Sequence, residues 1–177
     1  ACADSEVPKW RDDAWYWSKE ATDWGWDWAS DEDKYLHPKY APVNRYARDI
    51  IGCLNNWVDG WVDWNMVLDK QGGPNWFKNW CVAPVIADIK TDEVYFTPIY
   101  FIMSHFSKYI RPGAVILHSE MNNDKLQSVA AQNPDVSIII VAFNEGVDQI
   151  NYTVELDKEE IKLAIGPQAI QTTIINN

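Results

Sequence analysis

Positive charge is scarce in this chain: 15 Lys and Arg stand against 26 Asp and Glu, leaving a formal net charge of −11 and a pI near 4.6. Recognition of phosphates relies on clustered Lys and Arg that release counterions, so a nucleic-acid partner is not expected. Long apolar runs are missing as well. The longest, Ile138 to Phe143, has the length of a buried strand and falls far short of the roughly 20 residues that span a bilayer, so no transmembrane segment is expected. Cysteine is sparse, and Cys2, Cys53 and Cys81 form neither CxxC pairs nor an even set, which points to buried free thiols rather than a zinc site or a disulfide framework. His37, His105 and His118 are dispersed without His-x-x-x-His spacing, so no metal is expected. GxSxG, P-loop and GxGxxG motifs are absent, which removes the signatures of serine hydrolases and of nucleotide and dinucleotide binding. The first residue is Ala rather than Met, with no charged and apolar leader before the globular sequence. Processing or truncation is therefore expected to have made this terminus, and the compartment stays open between secreted and cytoplasmic.

Tryptophan, by contrast, is abundant and unevenly placed. All 11 lie at or before Trp80, too lopsided for one uniform domain, so a boundary is expected shortly after Trp80, dividing the chain into 1–83 and 84–177. Ala1 to Tyr40 is acidic and aromatic without sustained helical or strand period. It reads as a long ordered loop with room for one helical turn around Asp12 to Lys19, since so many aromatic residues disfavour disorder.

From Pro42 the pattern turns helical. Val43, Tyr46, Ala47, Ile50, Ile51, Leu54 and Val58 recur at the i, i+3, i+4, i+7 spacing of one buried face, and Pro42 suits the first helical position, where a missing N–H is no loss. Gly52 falls on the opposite face, and Asn55 and Asn56 suit the helix end. A strand is expected over Asp59 to Met66, with Gly60, Val62 and Trp64 on one side and Trp61, Asp63 and Asn65 on the other. Helix running into strand is an α/β signature. Gly72, Gly73 and Pro74 then supply a turn.

The composition changes after the boundary. Val85 to Ile89 and Glu93 to Phe96 read as short strands, and Thr97 and Pro98 open a helix of about 97–110 that Pro112 and Gly113 stop. Ala114–Ser119, Leu126–Gln132, Val136–Asn144, Gln149–Leu156, Ile161–Ile165 and Ala169–Ile175 follow as strands, with turns at Asn133-Pro134-Asp135, Asn144-Glu145-Gly146 and Gly166-Pro167. Regularly spaced short strands suggest an antiparallel sandwich.

Within Val58 to Trp80, Trp61, Trp64, Trp76 and Trp80 stand beside Asp63, Asn65, Asn75 and Asn79. A pyranose offers an apolar C–H face to an indole, and its hydroxyls need directed donors and acceptors such as Asn and Asp. This combination is the chemistry of a sugar site; the competing reading is that the indoles, Trp64 included, fill a core. Asp59 and Asp63 are not a retaining carboxylate pair on this reading: four positions apart on a strand, they would stand about 13 Å apart, whereas such a pair needs about 5–5.5 Å.

The runs GWVDWN, QGGPNWFKNW, APVIADI and YFTPIYFIMSHFSKYIRPG together resemble the C-terminal part of glycoside hydrolase family 30, which includes lysosomal glucosylceramidase and microbial β-1,6-glucanases. The resemblance runs from the first residue to about Gly113 with strong motifs and continues more loosely through the tail. It implies the last strand and helix of a (β/α)8 TIM barrel followed by an antiparallel β-sandwich, with Asp59–Met66 as the eighth barrel strand. It implies retaining hydrolysis of a β-glucoside or β-glucan, with no cofactor. The family's nucleophile is a Glu in a Thr-Glu-Ala-Cys type sequence, and this chain begins Ala1-Cys2-Ala3. The matching Glu is expected immediately before Ala1 and the acid/base Glu further back, so no catalytic residue is expected in this chain, which would be an inactive fragment whose partner is the missing barrel segment. Trp64 is similar to the Trp lining the sugar subsite and Asn79 to the polar residue at its rim, with Asn65 and Trp80 beside them. Trp10 to Trp28 resembles the bacterial and fungal glucanase-like branch more than the animal enzyme. A different class of reading, a non-catalytic carbohydrate-binding or structural β-sandwich that never had a barrel, rests on the strand-rich tail and the missing acids.

Overall fold

The structure, a computed structural model, describes residues 41–69, 73–74, 83–156 and 159–176. The expected loop over Ala1 to Tyr40 lies outside the described residues. The chain divides into two compact units, one holding Val62–Phe101 together with the chain through Tyr46, the other Ala47–Trp61 and Ile102–Asn177.

The expected first helix forms as α1, Ala41–Asn55. Tyr46, Ala47, Ile50 and Ile51 of its predicted stripe are buried. It ends in a Schellman-type closure in which the N–H groups of Asn56 and Val58 both donate to the Cys53 carbonyl, at 3.1 and 3.2 Å. Trp57 occupies the left-handed position of that closure, at φ 60°, where glycine is the usual residue.

In the first unit, β1 (Val67–Asp69) pairs parallel with β2 (Val85–Asp88), which pairs antiparallel with β3 (Glu93–Phe96). Leu68, Ala83 and Ile86 form its buried cluster, with Tyr95 packed against it. Thr97 locks the exit from β3: its hydroxyl donates to the carbonyls of Ala83 and Pro84, both at 3.0 Å. The next helix, α2, runs Pro98–Ser107, starting at the proline whose spacing predicted it.

The strand expected over Asp59 to Met66 is not there; the ladder begins only at Val67. A strand needs a partner for its backbone groups, and among the described residues β1 has only β2, in register from Val67↔Val85. The preceding residues instead spend polar side chains on α1. Tyr46 donates its hydroxyl to both carboxylate oxygens of Asp63, at 3.0 and 2.9 Å, and Trp61 donates its indole N–H to Asp49 at 2.6 Å. The 13 Å spacing that a strand would give Asp59 and Asp63 loses its basis.

The second unit is the β-rich one. β4 (Val115–Leu117), β5 (Leu126–Gln132), β6 (Ile138–Asn144) and β9 (Ala169–Ile175) form a four-stranded sheet in the order β4-β5-β6-β9, antiparallel throughout. β7 (Ile150–Leu156) and β8 (Glu159–Ile165) form a separate antiparallel ribbon. The apolar run singled out in the sequence becomes β6, the central strand, buried along its whole length. β7 alternates in burial as its sequence alternates, and Tyr152 faces Leu163 and Val154 faces Ile161 across the ribbon. The ribbon is layered on the sheet through a cluster of Leu126, Ala142 and Ile165, with Ile150, Tyr152 and Ala169 packed around it.

The turns predicted from Asn and Gly are closed by buried asparagines. Asn144, wholly buried, donates to the carbonyls of Asp148 and Gly166, each at 2.8 Å, and accepts from the Gly146 N–H at 2.9 Å. Asn133, also buried, donates to the Tyr109 carbonyl at 2.9 Å and accepts from the Arg111 N–H at 3.0 Å, so the turn after β5 is tied to the chain leaving α2.

Candidate functional site

The segment from Asp63 into β1 carries those residues expected from the sequence to form a sugar site that the structure describes. Trp64 is 65% exposed in this chain. Asn65 beside it is exposed too, so an indole and an amide are both presented for contact. Asp63, immediately before them, is tied back to Tyr46, and this anchors the stem that carries them. At the far end, the Asp69 N–H donates to the Gly73 carbonyl at 2.7 Å and the Gly73 N–H donates to the Asp69 carboxylate at 2.8 Å. Of the predicted Gly-Gly-Pro turn, Gly72 lies outside the described residues, and the Gly73–Pro74 peptide bond is cis. Asn79 and Trp80 lie outside the described residues, as do Asn75 and Trp76.

Among the described residues, none of the other sequence candidates gathers into a reactive cluster. His118 is exposed, 3.7 Å from Glu120. His105 packs in the second unit with its Nδ1 2.8 Å from the Thr172 hydroxyl, and burial lowers its pKa below the ordinary 6.5. Cys53 is a half-buried free thiol. Among the described residues no group of three or more His, Cys, Asp or Glu could hold a metal ion, and no helix is long and apolar enough to cross a membrane.

A concavity that the sequence pattern did not announce lies in the second unit. The end of α1, the end of α2 and the chain entering β4 enclose about 760 Å³. Trp57 and Trp61 line it with Asp59 and Arg111, over a floor that includes Ile50 and Phe106. The signal available in sequence was the Trp-Val-Asp-Gly-Trp run at 57–61. The strand assignment obscured it by sending Trp61 to one face of a sheet.

Comparison with known proteins gives this geometry a context. Residues 13–110 match the Glycosyl hydrolase family 30 TIM-barrel domain, and residues 113–173 match the Glycosyl hydrolase family 30 beta sandwich domain. The lysosomal acid glucosylceramidase of Mus musculus is 38% identical over 112 residues, covering 62% of this chain and 22% of that protein. The endo-1,6-beta-D-glucanase neg1 of Aspergillus fumigatus is 28% identical over 112 residues, covering 60% of this chain and 23% of that protein. Among solved structures, SrfJ from Salmonella typhimurium superposes with a TM-score of 0.77 at 29% identity, over 79% of this chain and 32% of that one. The chain thus spans less than a third of the length of each of these proteins.

Proposed function

Because this chain belongs to glycosyl hydrolase family 30, we propose that it is the carboxyl-terminal portion of a retaining β-glycosidase and supplies half of the sugar site. The observation that carries this reading is the match of barrel and sandwich domains in order along one chain. That order argues against a free-standing sandwich, since residues 13–110 match a barrel.

Trp64 packs its exposed indole against the C–H face of the pyranose, while Asn79, with Asn65 and Trp80 beside it, orients the sugar hydroxyls. Both carboxylates are supplied by sequence outside these 177 residues. One Glu attacks the anomeric carbon while the other protonates the departing oxygen, and the second then activates the water that releases the sugar. Two carboxylates suffice for this chemistry, so no cofactor is needed. The substrate is a β-glucoside of the kinds that the named relatives suggest, a glucosylceramide or a β-1,6-glucan.

The test has two arms. The purified 177-residue chain is expected not to hydrolyse an aryl β-glucoside, and turnover by it would overturn the assignment of the carboxylates. In the full-length enzyme, Trp64→Ala is expected to lower kcat/KM by about 10- to 100-fold, the loss of roughly 1.4–2.7 kcal/mol of stacking and burial. An unchanged kcat/KM would remove Trp64 from the site.

A further inference from the structure

The cavity at the end of α1 has features that packing does not explain. Trp57 is 92% exposed and sits at φ 60°, so its large apolar side chain gains almost no burial while its backbone occupies a region unfavourable to any residue with a Cβ. A side chain that stabilises nothing where it stands, on a backbone that would prefer glycine, is a candidate for binding rather than for folding. Trp61, across the same cavity, is different in kind. Its indole N–H is engaged by Asp49 at 2.6 Å, which fixes the ring as a wall.

The polar groups complete the pattern. Asp59, between the two indoles in sequence, is exposed and has no hydrogen-bond or ion-pair partner among the described residues, so its carboxylate is free to accept from hydroxyls. Arg111 lines the cavity, and its guanidinium pairs with Asp135, which itself accepts from the Ser137 hydroxyl at 2.6 Å. With Arg111 neutralised by Asp135, and a chain of net charge −11, the cavity has nothing to attract an anion. Its volume of about 760 Å³ lies within the roughly 300–1,000 Å³ of small-ligand sites.

We propose that this cavity binds a neutral glycan, a short gluco-oligosaccharide whose pyranose face stacks on Trp57 and whose hydroxyls are read by Asp59 and Arg111. The inference rests on the cavity's own chemistry and does not require the catalytic reading above. Neither Trp64 nor Asn65 lines the cavity.

Isothermal titration of the 177-residue chain with gentiotetraose, a β-1,6-linked glucose tetramer, and separately with cellotetraose tests it. Binding of at least one of them is expected, weakened at least tenfold by Trp57→Gly and by Asp59→Ala. Trp57→Gly removes the indole and at the same time relieves the backbone, so its melting temperature is expected to rise as its affinity falls, and misfolding cannot then account for the loss. No binding of either oligosaccharide, or binding indifferent to Trp57→Gly, would overturn the proposal. So would uptake of a dodecyl-chain detergent competing at Trp57 with no oligosaccharide binding, because the cavity would then be an acyl-chain site. Failure of the catalytic reading would show differently, as turnover by this chain or as indifference of the full-length enzyme to Trp64→Ala.

Discussion

Replacing Trp57 by glycine should make this protein more stable, although the substitution removes the largest side chain there is. The residue occupies the left-handed position after α1, at φ 60°. The Asn56 and Val58 N–H groups both donate to the Cys53 carbonyl, so the backbone cannot relax without breaking those bonds. A Cβ in this region costs roughly 1–2 kcal/mol, which glycine avoids. Against that stands lost burial. The side chain is 92% exposed, so of an indole's roughly 250 Å² only about 20 Å² is hidden, worth about 0.5 kcal/mol at 25 cal/mol per Å². The balance favours Trp57→Gly by about 0.5–1.5 kcal/mol, or roughly 1–6 °C in melting temperature for a chain of this size. Thermal melts followed by circular dichroism measure it, with Trp57→Ala as the control. Alanine forfeits the same burial but keeps the Cβ, so it should fall within about 0.5 kcal/mol of the parent, on the unfavourable side. If the glycine and alanine variants melt together, the strain argument is wrong, and with it part of the case for a binding role.

Two other glycines should respond with opposite signs. Gly52 lies within α1, and a Cβ built there meets nothing within 4 Å, so Gly52→Ala should raise stability by about 0.5–1 kcal/mol in urea titrations. Gly113 has φ +85° and a Cβ there would meet the Pro134 ring at 3.3 Å, so Gly113→Ala should lower it by about 1–2 kcal/mol. Asn144→Ala removes three hydrogen bonds from a wholly buried side chain and strands two carbonyls and an N–H. A loss of about 2–4 kcal/mol is expected by chemical denaturation, and a loss below 1 kcal/mol would mean that water replaces the amide. His105 adds a pH dependence. Burial lowers its pKa below 6.5, so the unfolded chain binds the proton more readily, and stability should fall as pH drops below 6.5 until the folded-state pKa is passed. His105→Gln should flatten that segment of the stability–pH curve, and an unchanged slope would assign it to other groups.

Much of the fold was legible because its signals are local. The apolar stripe from Val43 to Leu54 needs only the helical period to be read, and it became α1. Glu93–Phe96, Leu126–Gln132 and Ala169–Ile175 were bounded in the sequence as they are in the structure, since alternation and turn residues mark both ends of each. Of the residues proposed for a sugar site, Trp64 and Asn65 stand out in the sequence as an indole beside an amide, and the structure adds that both are exposed. Asn79 and Trp80 remain readings of the sequence.

The sequence by itself determined helices α1 and α2 and most of the strands after Val85, and, through the runs around Trp64 and Gly73, the family resemblance. Only the tertiary structure decided where the ladder after α1 begins, because a strand exists only where another backbone completes its hydrogen bonds, and that partner, β2, arrives from eighteen residues further along the chain. It alone placed Trp61 against Asp49 and Asp63 against Tyr46, and it gathered Trp57, Asp59 and Arg111 around one cavity. Alternation along a chain carries no information about which distant side chains will meet, and the cavity exists only through such meetings.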